Sequence, residues 1–108
     1  MRIPFDAIIA DEKLTHYLLL QRPLDDKSAY LRRAGFNLDT GGELAAAIRR
    51  LADSVEAVED GGNEYGTFFR VDGALAGPVS TLNVTLIWMR RAVDKRFHFV
   101  TLKPRKEQ

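Results

Sequence analysis

The fold is decided by residues 81–89, which read Thr81-Leu82-Asn83-Val84-Thr85-Leu86-Ile87-Trp88-Met89. Every second residue from Leu82 to Trp88 is apolar, which is the period of a strand with one buried face. Two similar segments, residues 64–73 and 97–103, lie on either side of it, with Gly77-Pro78 and Asp94 between them. Runs rich in Val, Thr, Phe and Trp that are separated by turn residues predict an antiparallel β-meander.

The residues before the meander have helical spacing. A first helix is predicted from Asp11 to Leu20, ended by Pro23, and a second from Asp25 or Asp26 to Gly35. Thr40 is the predicted N-cap of the longest helix, with Glu43 completing a capping box, and Asp60-Gly61-Gly62-Asn63 is a predicted turn before the sheet. The apolar stripe of the long helix is Leu44, Ala47, Ile48, Leu51 and Val55.

Together these patterns predict an α+β domain with about three N-terminal helices packed on one face of a three- to four-stranded antiparallel β-meander. The predicted single domain spans residues 1–108, with a helical half 1–60, a meander 61–104 and a short basic tail 105–108. The predicted core comprises Trp88, Leu86, Val84, Ile48, Leu51, Leu18 and Tyr17.

Composition narrows the classes of chemistry that the chain can carry out. The 108 residues include no cysteine and only two histidines. Disulfides, Cys-based zinc sites and thiol nucleophiles are therefore excluded, and no ligand spacing predicts a metal or another cofactor. No apolar stretch approaches the ~18–20 residues of a membrane span, so a cytoplasmic protein without membrane contact is expected.

Charge is unevenly distributed along the chain. Residues 1–60 carry 8 Lys and Arg against 11 Asp and Glu, and residues 61–108 carry 8 against 4, within a total of +1. A basic second half is compatible with a phosphate-bearing partner such as RNA. The alternative is that these charges keep a hairpin tip and edge strands soluble.

Several short motifs resemble a bacterial family classed as a domain of unknown function, found as short standalone proteins and as C-terminal domains of toxin-like proteins. They are Lys13-Leu14-x-x-Tyr17-Leu18-Leu19, Lys27 followed by Gly35-Phe36, Asn63-Glu64-Tyr65-Gly66, Gly73-x-Leu75-x-Gly77-Pro78, Trp88 and Val100-Thr101-x-x-Pro104. The order of helices and meander also resembles the small ribonuclease fold of barnase-like and RelE-type toxins.

The resemblance to ribonuclease toxins implies metal-independent RNA cleavage, which requires proton transfer and cations on the phosphate. His98 is the candidate acid–base group, because its ordinary pKa lies near neutral pH, with Arg96 and Tyr65 beside it as catalytic residues. The candidates for binding phosphate or RNA are Arg70, Lys103, Arg91, Phe97 and Phe99, with Phe68 as a further aromatic. The alternative for His98 is an ordinary strand residue.

The register of the last strand decides which side chains are exposed. If Val100 lies opposite Trp88, Phe97 and Phe99 share the open face with Thr101 and Lys103, and a change of one residue in the turn near Asp94 exchanges the two sets. The sequence leaves both registers open.

A non-catalytic function is the alternative to RNA cleavage. In that case the chain is a protein-interaction module, acting as the partner, antitoxin or immunity-like component of a two-gene system. Its open sheet face or a strand edge would then bind a protein encoded nearby.

Overall fold

The computed structural model describes residues 1–19 and 27–105, and only the backbone of residues 15–17. Four strands follow one another in an antiparallel sheet whose spatial order is the order of the chain. They are β1 (Val58–Asn63), β2 (Gly66–Ala76), β3 (Thr81–Arg91) and β4 (Phe97–Pro104). Two α-helices precede them, α1 (Ser28–Arg32) and α2 (Gly41–Ser54).

The core lies between α2 and one face of the sheet. Along β3 the side chains from Leu82 to Trp88 are alternately buried and half-exposed, as the two-residue period predicted. Gly73 of β2 lies beneath α2, where an added Cβ would approach the Leu51 Cδ1 to 2.7 Å. The predicted core residues Trp88, Leu86, Val84, Ile48, Leu51 and Leu18 are all buried, which confirms them. The Tyr17 side chain lies outside the described residues.

The prediction of about three helices packed on the meander is wrong. Residues 1–19 and 27–105 contain one long helix, in which a 3₁₀ turn (Leu38–Thr40) leads into α2, and one short α-helix, α1. The first predicted helix is instead a π-helical segment, Lys13–Leu18, closed by a bond from the Leu19 N–H to the Leu14 carbonyl oxygen. Leu20, Pro23 and the predicted second start at Asp25 or Asp26 lie outside the described residues.

The spacing of leucines explains the π-helical segment. Leu14, Leu18 and Leu19 are all buried, and Leu18 and Leu19 lie four and five residues after Leu14. A turn closed by i→i+5 bonds places residues at both spacings on the same face as Leu14. In an α-helix, the residues that share a face are three and four residues apart. The segment therefore buries three leucines against the sheet where an α-helix would bury two. Among the described helices, none is long and apolar enough to cross a membrane.

The start of the long helix differs from the predicted capping box. Thr40 makes no side-chain cap bond to α2; instead Asn37 caps the preceding 3₁₀ turn. The Asn37 Oδ1 accepts the Asp39 N–H at 2.8 Å, and the Thr40 Oγ1 accepts the Asn37 N–H at 2.8 Å. The capping box is thus present three residues earlier than predicted, because the 3₁₀ turn Leu38–Thr40 extends the helix at its N-terminal end.

The predicted turn at Asp60–Asn63 is part of β1, so the sheet begins at Val58, before the predicted boundary. Pairing with β2 shifts between Glu59 and Gly62, and Gly61 has a φ of +82° within this bulge. A glycine in the left-handed region lets a strand accommodate the extra residue and continue. The chain reverses instead at Glu64-Tyr65.

A second bulge determines the register of β4. Trp88 pairs with Phe99 and Ile87 with Thr101, so Val100 is the extra residue. The bulge places Phe97, Phe99 and Leu102 on the core face, all buried. Of the two registers that the sequence left open, neither occurs in regular form, and the bulge removes Phe97 and Phe99, both candidates for binding RNA, from the open face.

The two outer edges of the sheet differ. Beside β4, the Ile8 N–H donates to the Phe97 carbonyl oxygen and the Ile8 carbonyl oxygen accepts the Phe99 N–H, both at 2.8 Å. Along the outer edge of β1, no strand pairs with it among the described residues, and all six of its residues are exposed.

Candidate functional site

An open groove of about 450 Å³ lies where the β1–β2 and β3–β4 hairpins meet. Most of its lining side chains belong to the face of the sheet opposite α2, here called the open face. The lining residues are Lys13, Asn63, Tyr65, Phe68, Met89, Arg91, His98, Phe99 and Val100. The groove thus brings together His98, Tyr65 and Arg91, three of the residues that the sequence singled out.

One row of side chains crosses the sheet beneath the groove. Phe68 of β2 pairs with Met89 of β3, and Met89 pairs with His98 of β4. All three are half-buried, so their outer surfaces remain accessible on the open face. An aromatic ring and a thioether beside an imidazole form an apolar floor on which a flat ligand can lie.

Tyr65 lies at the rim of this floor, in the turn between β1 and β2, and is 68% exposed. Its N–H donates to the Asn63 Oδ1 at 2.8 Å, and its carbonyl oxygen accepts the Ala92 N–H at 2.9 Å. The second bond joins the β1–β2 turn to the end of β3. The backbone of Tyr65 is therefore fixed while its ring remains accessible.

His98 is half-buried, and its Nε2 lies 4.0 Å from the Asp94 Oδ2 in the β3–β4 hairpin. This Nε2 is buried and has no hydrogen-bond partner among the described residues. The pKa of the Asp94 carboxyl is lowered, chiefly by the Arg96 N–H that it accepts; burial, the next largest effect, opposes this, and the nearby Arg91, His98 and Arg96 each lower the pKa further. Asp94 therefore remains ionised beside the imidazole.

Arg96, a predicted catalytic residue, holds the hairpin together through its backbone. Its N–H donates to the Asp94 Oδ1 at 2.9 Å, and its carbonyl oxygen accepts the Arg91 N–H at 2.9 Å. It follows Lys95, which has a φ of +60°. The Arg96 side chain is exposed and is not among the described side chains that line the groove.

Arg70 lies on the open face but is engaged by carboxylates. Its Nε is 2.9 Å from the Asp72 Oδ2, and its guanidinium is 3.6 Å from the Asp60 Oδ1. Burial acts to raise the pKa of Asp72, but hydrogen bonds from Thr85 and Arg70 and the charges of Arg70 and Arg105 outweigh it and lower that pKa. Lys103, the other predicted phosphate ligand, is exposed opposite Thr85.

The aromatic residues are divided between the two faces of the sheet. The Phe97 ring lies 5.3 Å from the Phe69 ring, and the Phe99 ring meets the Trp88 ring edge-on at 5.4 Å, both centroid to centroid. These rings form part of the core and offer no face for stacking with a base. Phe99 also lines the groove but is only 2% exposed, so Phe68 and Tyr65 are the lining aromatic residues with accessible rings.

The predicted site residues do not include two lysines that lie near β4. Lys13, in the π-helical segment, lines the groove. The Lys27 Nζ donates to the Thr101 Oγ1 of the open face at 3.2 Å, across 74 residues of sequence. Both lysines belong to the motifs of the family resemblance, but no periodicity in the sequence places a helix residue beside a particular strand residue. Among the described residues, no three His, Asp or Glu side chains gather as metal ligands.

Comparison with models of protein families identifies a match to most of the chain. A family model described as "Domain of unknown function (DUF6883)" covers residues 5–106, and therefore all four strands and the helices before them. No curated protein and no solved structure shows a significant match to the chain.

Proposed function

We propose, for a chain that belongs to the DUF6883 family of unknown function, that it binds single-stranded RNA in the open-face groove and cleaves it without a metal ion. The observation that carries the proposal is that His98, Tyr65 and Arg91 line one groove, together with Lys13. An imidazole, a phenol and two cations can supply the proton acceptor, the proton donor and the charge stabilisation that phosphodiester cleavage uses.

In the proposed reaction His98 accepts the proton of a ribose 2′-hydroxyl, and the 2′-oxygen forms a bond to the adjacent phosphorus. The bond from phosphorus to the 5′-oxygen breaks, and that oxygen takes the Tyr65 hydroxyl proton. His98 then returns its proton to Tyr65 through water. The products are a 2′,3′-cyclic phosphate and a 5′-hydroxyl. Because the His98 Nε2 is directed towards Asp94, Nδ1 is the nitrogen that exchanges the proton.

Charge and exposure favour a single-stranded substrate. Arg91 and Lys13 line the groove, where they offset the charge that develops on the phosphorane. Phe68 and Tyr65 lie within the same groove, and unpaired bases stack on such rings at about 1–3 kcal/mol each. Paired bases in a helix cannot reach a platform of this kind. The substrate pool is then cytoplasmic RNA.

The test is incubation of the purified protein with a single-stranded RNA oligonucleotide in the presence of a chelator. The parent should release 2′,3′-cyclic phosphate ends, and His98→Ala should slow release by about 10²–10⁴. His16→Ala, which removes the other histidine of the chain, is the matched control and should retain the parent rate. DNA of the same sequence lacks the 2′-hydroxyl and should remain intact.

Absence of cleavage by the parent would remove the enzymatic proposal. If His98→Ala cleaves RNA at the parent rate, cleavage stands but His98 is not its acid–base group.

The exposed outer edge of β1 supports a second candidate function, a non-catalytic interaction module. An unpaired edge can receive a strand of a protein partner encoded nearby. A stable complex between this chain and the product of a neighbouring gene, with no RNA cleavage by either protein, would favour this function. A chain that remains monomeric at micromolar concentration in the presence of that product would exclude it.

A further inference from the structure

We infer that Lys27 and Thr101 form a phosphate-binding point that continues the groove along β4, where it takes the phosphodiester of the nucleotide next to the one held beside His98. The inference rests on the proposed function for its substrate, single-stranded RNA. It concerns binding rather than bond cleavage, and its test is separate for that reason.

The contact between Lys27 and Thr101 joins two distant parts of the chain. Lys27 immediately precedes α1 and is half-buried, and its Nζ donates to the Thr101 Oγ1 at 3.2 Å. Tyr30, one turn later, donates from its hydroxyl to the Asn83 carbonyl oxygen at 2.6 Å. Two contacts therefore fix the start of α1 against β3 and β4, so the Lys27 ammonium is held in place on the open face.

The bulge at Val100 makes this point a neighbour of the groove. His98 and Thr101 are three residues apart, and in a regular strand their side chains would lie on opposite faces. Because Val100 is the extra residue, His98 lies opposite Met89 and Thr101 opposite Ile87. Met89 and Ile87 share the open face, and so do His98 and Thr101. Bulges often occur next to functional sites because they redirect side chains in this way.

The distance between the two positions fits adjacent phosphates. The row that contains Met89 and His98 is two residues along β3 from the row that contains Ile87 and Thr101. Two residues of a strand span about 7 Å, close to the spacing of adjacent phosphates in an extended single strand. RNA with one phosphate beside His98 therefore presents the next one to Lys27.

The charges around Thr101 favour an anion. Lys103 lies in the next row, opposite Thr85, whereas Arg70, in the same row as Thr101, is neutralised by Asp72 and Asp60. The nearby carboxylate of Asp72 is bound by Arg70 and Thr85. In this arrangement Lys27 supplies the ammonium to the phosphate, and Thr101 is a positioning residue that holds the Nζ over the sheet.

The experiment measures binding of a fluorescent single-stranded 2′-O-methyl RNA heptamer, which cannot be cleaved, by anisotropy over a range of salt concentrations. Lys27→Met should weaken binding about tenfold at low salt, the loss expected for one charge-assisted hydrogen bond. It should also reduce the slope of log K against log salt by about 0.7, the value for one phosphate contact on a single strand. Lys27→Arg should keep the parent slope.

Two further variants complete the experiment. Arg50→Met is the matched control, because it removes one exposed charge from α2 on the other side of the sheet, and its slope should equal that of the parent. Thr101→Val keeps the ammonium but removes its hydroxyl partner, so it should weaken binding about threefold, less than a charge-assisted bond is worth. Thermal unfolding of each variant ensures that folded proteins are compared.

The outcomes separate this inference from the proposed cleavage. The inference is overturned, even if the parent cleaves RNA, if Lys27→Met has the same salt slope as the parent. It is also overturned if Arg50→Met loses as much affinity for the heptamer as Lys27→Met. If the parent does not cleave RNA but Lys27→Met and Thr101→Val lose affinity as predicted, the phosphate-binding point is supported and only the cleavage proposal fails. If the parent does not bind the heptamer, both proposals fail.

Discussion

Thr85 and Asp72 face each other across β3 and β2, and the Thr85 hydroxyl donates a hydrogen bond to the Asp72 carboxylate. The Arg70 guanidinium binds the other carboxylate oxygen at 2.9 Å. The carboxylate therefore orders two neighbouring strands on the open face. It also neutralises Arg70, which is therefore not among the cations assigned to RNA.

The first prediction concerns acid stability. The Asp72 pKa is lower in the folded protein than its ordinary value, so its ionised form stabilises the fold above about pH 4. That stabilisation is lost as the pH falls through the folded pKa. Asp72→Asn should therefore lose less stability than the parent between pH 5 and about pH 2 in urea unfolding. Asp53→Asn, an exposed carboxylate of α2, should follow the parent, and a parent-like curve for Asp72→Asn would contradict the assignment.

The second prediction compares two phenylalanines whose side chains lie on opposite faces of the sheet. Phe99→Ala should cost about 3–5 kcal/mol of unfolding free energy, because the ring is buried against Trp88. The emission of Trp88, the only tryptophan of the chain, should shift to longer wavelength. Phe68→Ala should leave that emission unchanged and weaken heptamer binding by about 1–3 kcal/mol. Equal effects of the two variants on stability would show that the faces are wrongly assigned.

The third prediction concerns the contact between the β2–β3 turn and the end of α1. An added Cβ at Gly77 would lie 2.4 Å from the Ala34 carbonyl oxygen and 2.9 Å from the Phe36 ring. Gly77→Ala should destabilise the protein by about 1–3 kcal/mol, the cost of overpacking. At Gly42, in the first turn of α2, nothing lies within 4 Å of an added Cβ. Gly42→Ala should be neutral or stabilise by up to about 1 kcal/mol, and the difference is measurable by thermal unfolding.

The fourth prediction concerns the pairing of Asp94 with His98. At 4.0 Å and with the carboxylate partly exposed, the ion pair should be weak. Asp94→Asn should therefore slow RNA cleavage by only about two- to fivefold, far less than His98→Ala. Asp39→Asn, an exposed acid before α2, serves as the control. A loss as large as that of His98→Ala would make Asp94 a full partner in proton transfer.

The sequence predicted the sheet where apolar residues keep a single period. From Leu82 to Trp88 the period is two without exception, and the structure has one strand with one buried face there. In β4 the apolar residues Phe97, Phe99 and Leu102 are separated by two and three residues. That irregular spacing corresponds to a bulge. A regular strand could instead bury either Phe97 and Phe99 or Leu102 on the core face, and the sequence alone does not distinguish these arrangements.

The helical half was less predictable because local signals had more than one meaning. Gly61-Gly62 is a turn signal by composition, yet the same residues form a bulge in β1. The spacing of Leu14, Leu18 and Leu19 is another example, because an α-helix places only two of these leucines on one face and a π-helical segment places all three there. Lys27 and Thr101 carry no joint signal, since only the packing of α1 beside β4 brings them together.

The contacts of Ile8 with β4 also determine how the molecule can associate. They occupy the outward-facing backbone groups of Phe97 and Phe99, so a strand from another molecule cannot pair with that end of β4, whereas the whole outer edge of β1 is unpaired among the described residues. If a second copy adds its own β1 there, the combined sheet presents at each end a β4 whose first residues Ile8 already occupies. That partly blocked edge disfavours continued growth into a fibril.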